Sequence, residues 1–180
     1  MEILTDRLRL RKWTNRDKPA FAAIQADPRV MEYFPATLTR KESDAVVERF
    51  KKHHKEHGFG YFAAERRTDK QLLGFIGLSR QEYPAFFTPC VDIGWMLHPD
   101  VWGQGLAAEG ARACLEHAFG ALGLDAVRAV TVHRNMPSIR VMHQLGMAYE
   151  GAFIHPDFAD RHDQQPCLVY VRRAPAEGQP

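Results

Sequence analysis

The sequence predicts a single mixed α/β (α+β) domain, and three observations carry that prediction. Strand-like apolar runs dominate and helical stretches are interspersed among them, the order expected of one sheet with helices packed on it. A strand, a glycine turn and a helix follow one another directly from Val91 to Glu109, reading VDIGWMLHPDVWGQGLAAE. The 180 residues suffice for one sizeable core and are short for two, and no linker, repeat or low-complexity segment divides them.

The elements follow in order. Arg7 to Trp13 alternates apolar and polar residues and reads as a strand. Asn15 to Ala26 is a short helix started by Asn15, with Pro28 just past its end. Thr39 and Glu42 form a capping-box signature for a longer, charged helix to about Glu56, stopped by Gly58. Tyr61 to Arg67 and Leu72 to Arg80 are two strands joined by a turn at Thr68-Asp69-Lys70. Gln81 to Pro89 is a loop carrying Tyr83, Phe86 and Phe87. After the Val91 strand, Ala107, Ala111, Leu115, Ala118 and Leu122 keep helical spacing and Gly123 ends the helix. Val127 to Val132 is a strand, Asn135 caps a helix to Leu145 with Gly146 as its stop, and Met147 to Ile154 and Pro166 to Arg173 are the last strands. The total is about seven strands and about four helices.

Composition narrows the function. Lys+Arg 24 against Asp+Glu 22 leaves +2, so no bulk field drives the chain onto nucleic acid or an anionic membrane. No apolar run approaches the roughly 18 residues of a membrane span, and the first residues lack the apolar core of a secretion signal. Cys90, Cys114 and Cys167 are scattered without metal-ligand spacing and read as free thiols of a cytoplasmic protein. His53, His54 and His57 place two imidazoles at i and i+4, but no carboxylate or cysteine stands at ligand spacing, so no metal is expected.

The glycine loop is the feature with chemistry in it. Glycines let a backbone approach a ligand closely, and the first N–H groups of the helix are unpaired donors at its positive end. That geometry suits a pyrophosphate. A P-loop needs Gly-Lys-Ser/Thr at the helix start, whereas Leu106 follows Gly105. A dinucleotide fingerprint is met in relaxed form by Gly103-x-Gly105-x-x-Ala108. Its acidic partner belongs after the next strand, however, and Asp125 lies before it.

Trp102-Gly103-Gln104-Gly105-Leu106-Ala107 resembles the coenzyme A-binding motif of the GNAT superfamily of N-acetyltransferases, with Trp102 replacing the usual Arg or Gln. Leu4-Thr5-Asp6-Arg7-Leu8-Arg9-Leu10-Arg11 and Asn135-Met136-Pro137-Ser138-Ile139-Arg140, closing at Leu145-Gly146-Met147, are similar to the RimJ/RimL-like branch, the ribosomal-protein N-terminal acetyltransferases and their relatives. The resemblance implies a GNAT domain over residues 1–174, with a mostly antiparallel central sheet, and a disordered tail at 175–180. It implies acetyl-CoA as cosubstrate and direct attack of a neutral primary amine on the thioester. The acceptor is a protein or peptide N-terminus, or alternatively a small amine or aminoglycoside; a non-catalytic acyl-CoA sensor is the reading from outside enzymology. Oligomeric state is expected to be monomer or homodimer.

Residue by residue, the resemblance assigns the pyrophosphate to the loop of Trp102 and Gly103 and to the backbone N–H groups of Gln104, Gly105, Ala107 and Ala108. The backbones of Trp95, Met96 and Leu97 pair with the pantetheine arm. Asn135 bonds that arm, although capping a helix alone accounts for an Asn there. Ser138 protonates the leaving thiolate, because Met142 stands where many members carry a tyrosine and a thioether cannot donate. Arg140, and secondarily Arg134, meet the 3′-phosphate. Asp92 is aligned with a catalytic carboxylate, its plainer reading being a solvated strand residue. Phe34, Phe86 and Phe87 wall the acceptor pocket, or only anchor loops to the core; His155 relays a proton, or is an isolated surface histidine. The variable acceptor segments are Arg29 to Arg40 and His155 to Gln165, with Asp157, Asp160 and Asp163 hinting at an acidic wall. An α-amine, with pKa near ~8, needs only a weak base, unlike a lysine near ~10.4.

Overall fold

The computed structural model describes residues 2–160 and 165–175. The expected tail beyond Pro175, and Asp163 with the neighbouring part of the second acceptor segment, lie outside them. Eight strands form one sheet in the order β1-β2-β3-β4-β5-β6-β8-β7. They are β1 Ile3–Leu4, β2 Leu8–Arg11, β3 Tyr61–Arg66, β4 Leu72–Gln81, β5 Cys90–Leu97, β6 Ala126–Val132, β7 Ala148–Phe153 and β8 Cys167–Arg173. Four α-helices accompany them among the described residues: α1 Lys18–Ala26, α2 Arg40–His57, α3 Leu106–Gly120 and α4 Met136–Gln144.

The sheet is antiparallel throughout except at β5 and β6, which run parallel and share a single bridge, Asp92 to Arg128. Beyond that bridge the two strands part. On its other side, β5 is paired with β4 along its whole length from Cys90 to Leu97. The parting therefore leaves the β6 side of β5 without a ladder partner along Trp95, Met96 and Leu97.

Alternation sends side chains to two cores. On one face α3 and α4 cover Leu8, Leu10, Phe62, Ile76, Ile93 and Leu97. A Cβ at Gly110 of α3 would lie 2.5 Å from the Ile76 Cδ1, so that helix sits close on the sheet. On the other face α1 and α2 bring Phe21, Ile24, Val46 and Val47 against Trp13, Ala63, Phe75 and Met96. Burial on this scale, at ~25 cal/mol per Å² of apolar surface, is the main favourable contribution to folding.

The element order matches the sequence reading, with three local corrections. The strand count is eight because β1, two residues long, is too short to show a period. Asn15 does not start the first helix. Thr14 occupies the cap of a 3₁₀ turn over Asn15–Asp17 with Asp17 as its capping-box partner, and the Asn15 side chain accepts from Lys51 Nζ at 3.0 Å. Gly123 does not end α3, which stops at Gly120; Gly123, at φ 62°, turns the chain toward β6 instead. The Thr39–Glu42 capping box and the left-handed Gly58 that ends α2 are present as read.

Candidate active site

The glycine loop is shaped by backbone requirements. After β5, Pro99–Val101 makes one 3₁₀ turn and the chain reverses through Gly103 at φ 73° and Gly105 at φ 76°. A side chain in that left-handed region costs ~1–2 kcal/mol. A Cβ at Gly103 would meet nothing within 4 Å, so φ alone requires the glycine there. Gly105 is the N-cap of α3 and has no side-chain oxygen to accept from the first turn. The N–H groups of Leu106, Ala107 and Ala108 thus remain donors for an anion.

Distant residues fasten this loop. The Trp102 indole Nε1 donates to the Leu97 carbonyl at 2.8 Å, tying the loop to the end of β5 while half of the side chain stays exposed. Gln104 is held by its own Nε2, which donates to Asp100 O at 3.0 Å. Arg7 Nη1 donates to Gln104 O at 2.9 Å, and Glu109 accepts from Thr5 Oγ1 at 2.5 Å and Arg7 Nε at 2.6 Å. The Glu109 carboxyl is held below the usual carboxylate range by the bonds from Thr5 and Arg7, which outweigh the opposing effect of its burial.

A cleft of about 500 Å³ opens beside the loop. Trp95, Met96 and Leu97 line it from β5, Trp102, Gly103 and Gly105 from the loop, and Ala107 and Ala108 from α3. From α4 come Asn135, Ser138 and Arg140, and from the α1–α2 connection Phe34. Gln104 is outside the lining, its side chain turned to Asp100. Asn135 Oδ1 accepts from Ser138 N at 3.2 Å, so the capping role is present, and the partly exposed Ser138 hydroxyl has no hydrogen-bond partner among the described residues. Met142 is buried at 1 % and belongs to the core. An elongated ligand with an anionic head fits this cleft: unpaired helix N–H groups and Arg140 at one end, apolar walls of Leu97, Val101 and Leu106, and unladdered strand backbone beyond.

Asp92 lies apart from that lining, at the bridge where β5 and β6 part and on the same face of β5 as Met96. Tyr61 Oη donates to Asp92 Oδ1 at 2.8 Å and Gln81 Nε2 to Oδ2 at 3.0 Å. Burial pushes the Asp92 carboxyl up to about 6 against these two bonds, which lower it. Phe86, Phe87 and His155 gather near this end of the sheet with Tyr83 and Phe153, not in the main cleft. The Tyr83 ring is 4.6 Å from His155, and Phe87 is 5.0 Å from Phe153. Phe87 is buried and Phe86 is 62 % exposed. His155 Nδ1 accepts from Asp157 N, and burial lowers its basicity, which favours the neutral ring.

Sequence reasoning missed Tyr61 and Gln81, which no motif marks; Arg29, Val30 and Tyr33, which also line the cleft, lie in the Arg29 to Arg40 segment read as an acceptor segment but were not singled out there. It quoted Thr5 and Arg7 without seeing that they hold Glu109. The three cysteines are free, and burial raises their thiols to about 11 for Cys90, about 12 for Cys114 and about 11 for Cys167. Thiols so weakly acidic are poor nucleophiles. Both ring nitrogens of His53 are engaged, with Phe59 O and Arg80 N.

Known proteins are similar to this chain in sequence and fold. The acetyltransferase (GNAT) domain family matches residues 7–148. YnaD of Bacillus subtilis (strain 168), an uncharacterized N-acetyltransferase, is 32% identical over 154 residues, 85% of this chain and 86% of its own. A GNAT-family acetyltransferase from Bacillus anthracis superposes with a TM-score of 0.79 at 26% identity, covering 96% of this chain and 98% of that one. RimL, a ribosomal L7/L12 α-N-protein acetyltransferase solved in complex with coenzyme A, shares the fold with a TM-score of 0.77 at 17% identity, over 97% and 98% of the two chains. With the family matched over most of its length and the glycine loop, parted strands and α4 cap in place, the chain belongs to the GNAT family and is an N-acetyltransferase.

Proposed function

We propose that the protein transfers the acetyl group of acetyl-CoA to a primary amine by direct attack, the acceptor being the α-amine of a protein or peptide. The observation that carries this is the convergence of the α3 N-terminus, the unladdered part of β5 and the Asn135–Ser138 turn on one cleft. In it, the N–H groups of Gly105, Ala107 and Ala108 hold the pyrophosphate and Arg140 the 3′-phosphate. A β5 N–H polarises the thioester carbonyl as the oxyanion donor. Asp92, ionised above about pH 6, takes a proton from the acceptor ammonium directly or through water. The amine nitrogen then bonds the carbonyl carbon; as the carbon–sulfur bond breaks, Ser138 gives its proton to the sulfur and is reprotonated, through water, by the proton that the nitrogen sheds in becoming the amide. The weakly acidic cysteines favour this route over an acyl-enzyme.

The α-amine acceptor is favoured by the match between a base near pH 6 and an amine near ~8. It is also the chemistry named for RimL, which shares the fold. Mass spectrometry of a pool of peptides, amino acids, polyamines and aminoglycosides incubated with acetyl-CoA tests the reading. Acetylation confined to peptide α-amines is expected; acetylation confined to small amines replaces the acceptor. Binding of acetyl-CoA without any product supports a sensor, and Ser138→Ala at wild-type turnover removes Ser138 from the chemistry.

A further inference from the structure

The geometry points to Tyr61 and Gln81 as the positioning residues of the reaction: they fix both oxygens of Asp92 and keep it available as a base. The inference rests on Asp92 being the base proposed above.

Tyr61 reaches Asp92 because the sheet is cut away beneath its ring. Tyr61, Gly77 and Gly94 stand in one cross-strand row over β3, β4 and β5. A Cβ at Gly94 would lie 3.1 Å from Tyr61 Cε1 and 3.2 Å from its hydroxyl, so the ring lies across β5 at a residue with no side chain. Two residues along the same face, its hydroxyl meets Asp92 Oδ1 at 2.8 Å. The ring cannot easily leave: Phe75 lies 4.8 Å and Phe50 5.2 Å from it, and Trp13 Nε1 donates to the Tyr61 carbonyl at 2.8 Å. Gln81, at the end of β4 opposite Cys90, supplies the second donor to Oδ2 at 3.0 Å.

Two neutral donors on a partly buried carboxyl favour its ionised form, whereas its burial favours the acid. An acid cannot take a proton, so each donor removed leaves less of the base ionised near neutrality. The other groups facing this carboxyl keep their state through that range. Burial raises Tyr61, Tyr83 and Cys90, and Arg128, opposite Asp92 on β6, is bound to Glu150 at 2.6 Å and stays charged. His155, packed on Tyr83, titrates below its ordinary value, which makes a direct reading of the Asp92 carboxyl necessary.

The experiment follows the Asp92 carboxyl carbon by NMR titration in wild type, Tyr61→Phe and Gln81→Leu, with pH profiles of kcat/KM on the best acceptor. Tyr61→Phe keeps the ring and its packing and removes only the donor. The expected result is an upward move of the carboxyl titration by about one pH unit, with the acid limb of kcat/KM moving equally and KM for acetyl-CoA unchanged. Gln81→Leu moves both in the same direction. A titration unmoved in both variants overturns the positioning. So does a Tyr61→Phe rate loss that is uniform across pH. Wild-type turnover in Asp92→Asn overturns instead the base assignment, and the two failures are read separately.

Discussion

Arg7 and Glu109, 102 positions apart, are joined by two hydrogen bonds, one from the Arg7 backbone N–H at 2.9 Å and one from its Nε at 2.6 Å. The same guanidinium bonds Gln104 O, so the segment before the second strand braces the loop that opens α3. Arg7 is half-exposed, and such a pair contributes at most ~1 kcal/mol to stability. Its effect belongs to the loop. Arg7→Ala is expected to raise KM for acetyl-CoA roughly 3- to 10-fold, equivalent to about 1 kcal/mol, with kcat within twofold. Steady-state kinetics beside a thermal melt check this.

Asp92 is held at a cost to the fold. Its carboxyl titrates at about 6, above its ordinary value, so the favourable neutral form is fully present at low pH and stability is lost as pH rises through about 6. Asp92→Asn should therefore be more stable than wild type at pH 8, by roughly 1–3 kcal/mol, and indistinguishable near pH 4. Turnover should fall about 10²- to 10⁴-fold. Denaturant melts at the two pH values, paired with rate measurements, read both signs.

Asn135 combines a helix cap with a place in the cleft, and substitution separates them. Asn135→Ala should cost ~1 kcal/mol of stability through the lost cap. Asn135→Ser keeps an acceptor for the Ser138 N–H and should melt close to wild type. A raised KM for acetyl-CoA in the Ser variant reports the amide's own contact; an unchanged KM leaves Asn135 a cap only.

Met142 points to a different outcome. It is packed in the core at 1 % exposure, so Met142→Tyr should overpack it and cost ~1–3 kcal/mol without raising turnover. A gain in kcat would move the acid from Ser138 to that position.

Much of this was legible in the sequence because local signals act locally. The capping box at Thr39 and Glu42, the Asn135 cap and the two left-handed glycines of the loop are each decided within a few residues. Twelve of the residues read as site residues line one cleft, eight of them because strand, loop and helix are consecutive. What could not be read depends on strand order. Tyr61 and Asp92 meet only because β3, β4 and β5 are neighbours, and a glycine at position 94 reads from sequence as a weak strand residue, not as room for a ring. The separation of Phe86, Phe87 and His155 from Phe34 has the same origin: they belong to segments that only the folded sheet places at different ends of the site.

A sheet joined by one rung near its middle is, mechanically, two leaves. The leaf from β1 to β5 and the leaf β6-β8-β7 are held by the Asp92–Arg128 bridge and by α3, which packs against strands of both. In the proposed binding mode, an acetyl donor lying along β5 would add rungs where the protein has none, and the stiffness of the sheet would follow the donor's concentration. The opening of the leaves, measured as amide exchange in β5 and β6, would then be a readout of the metabolite as much as of the fold.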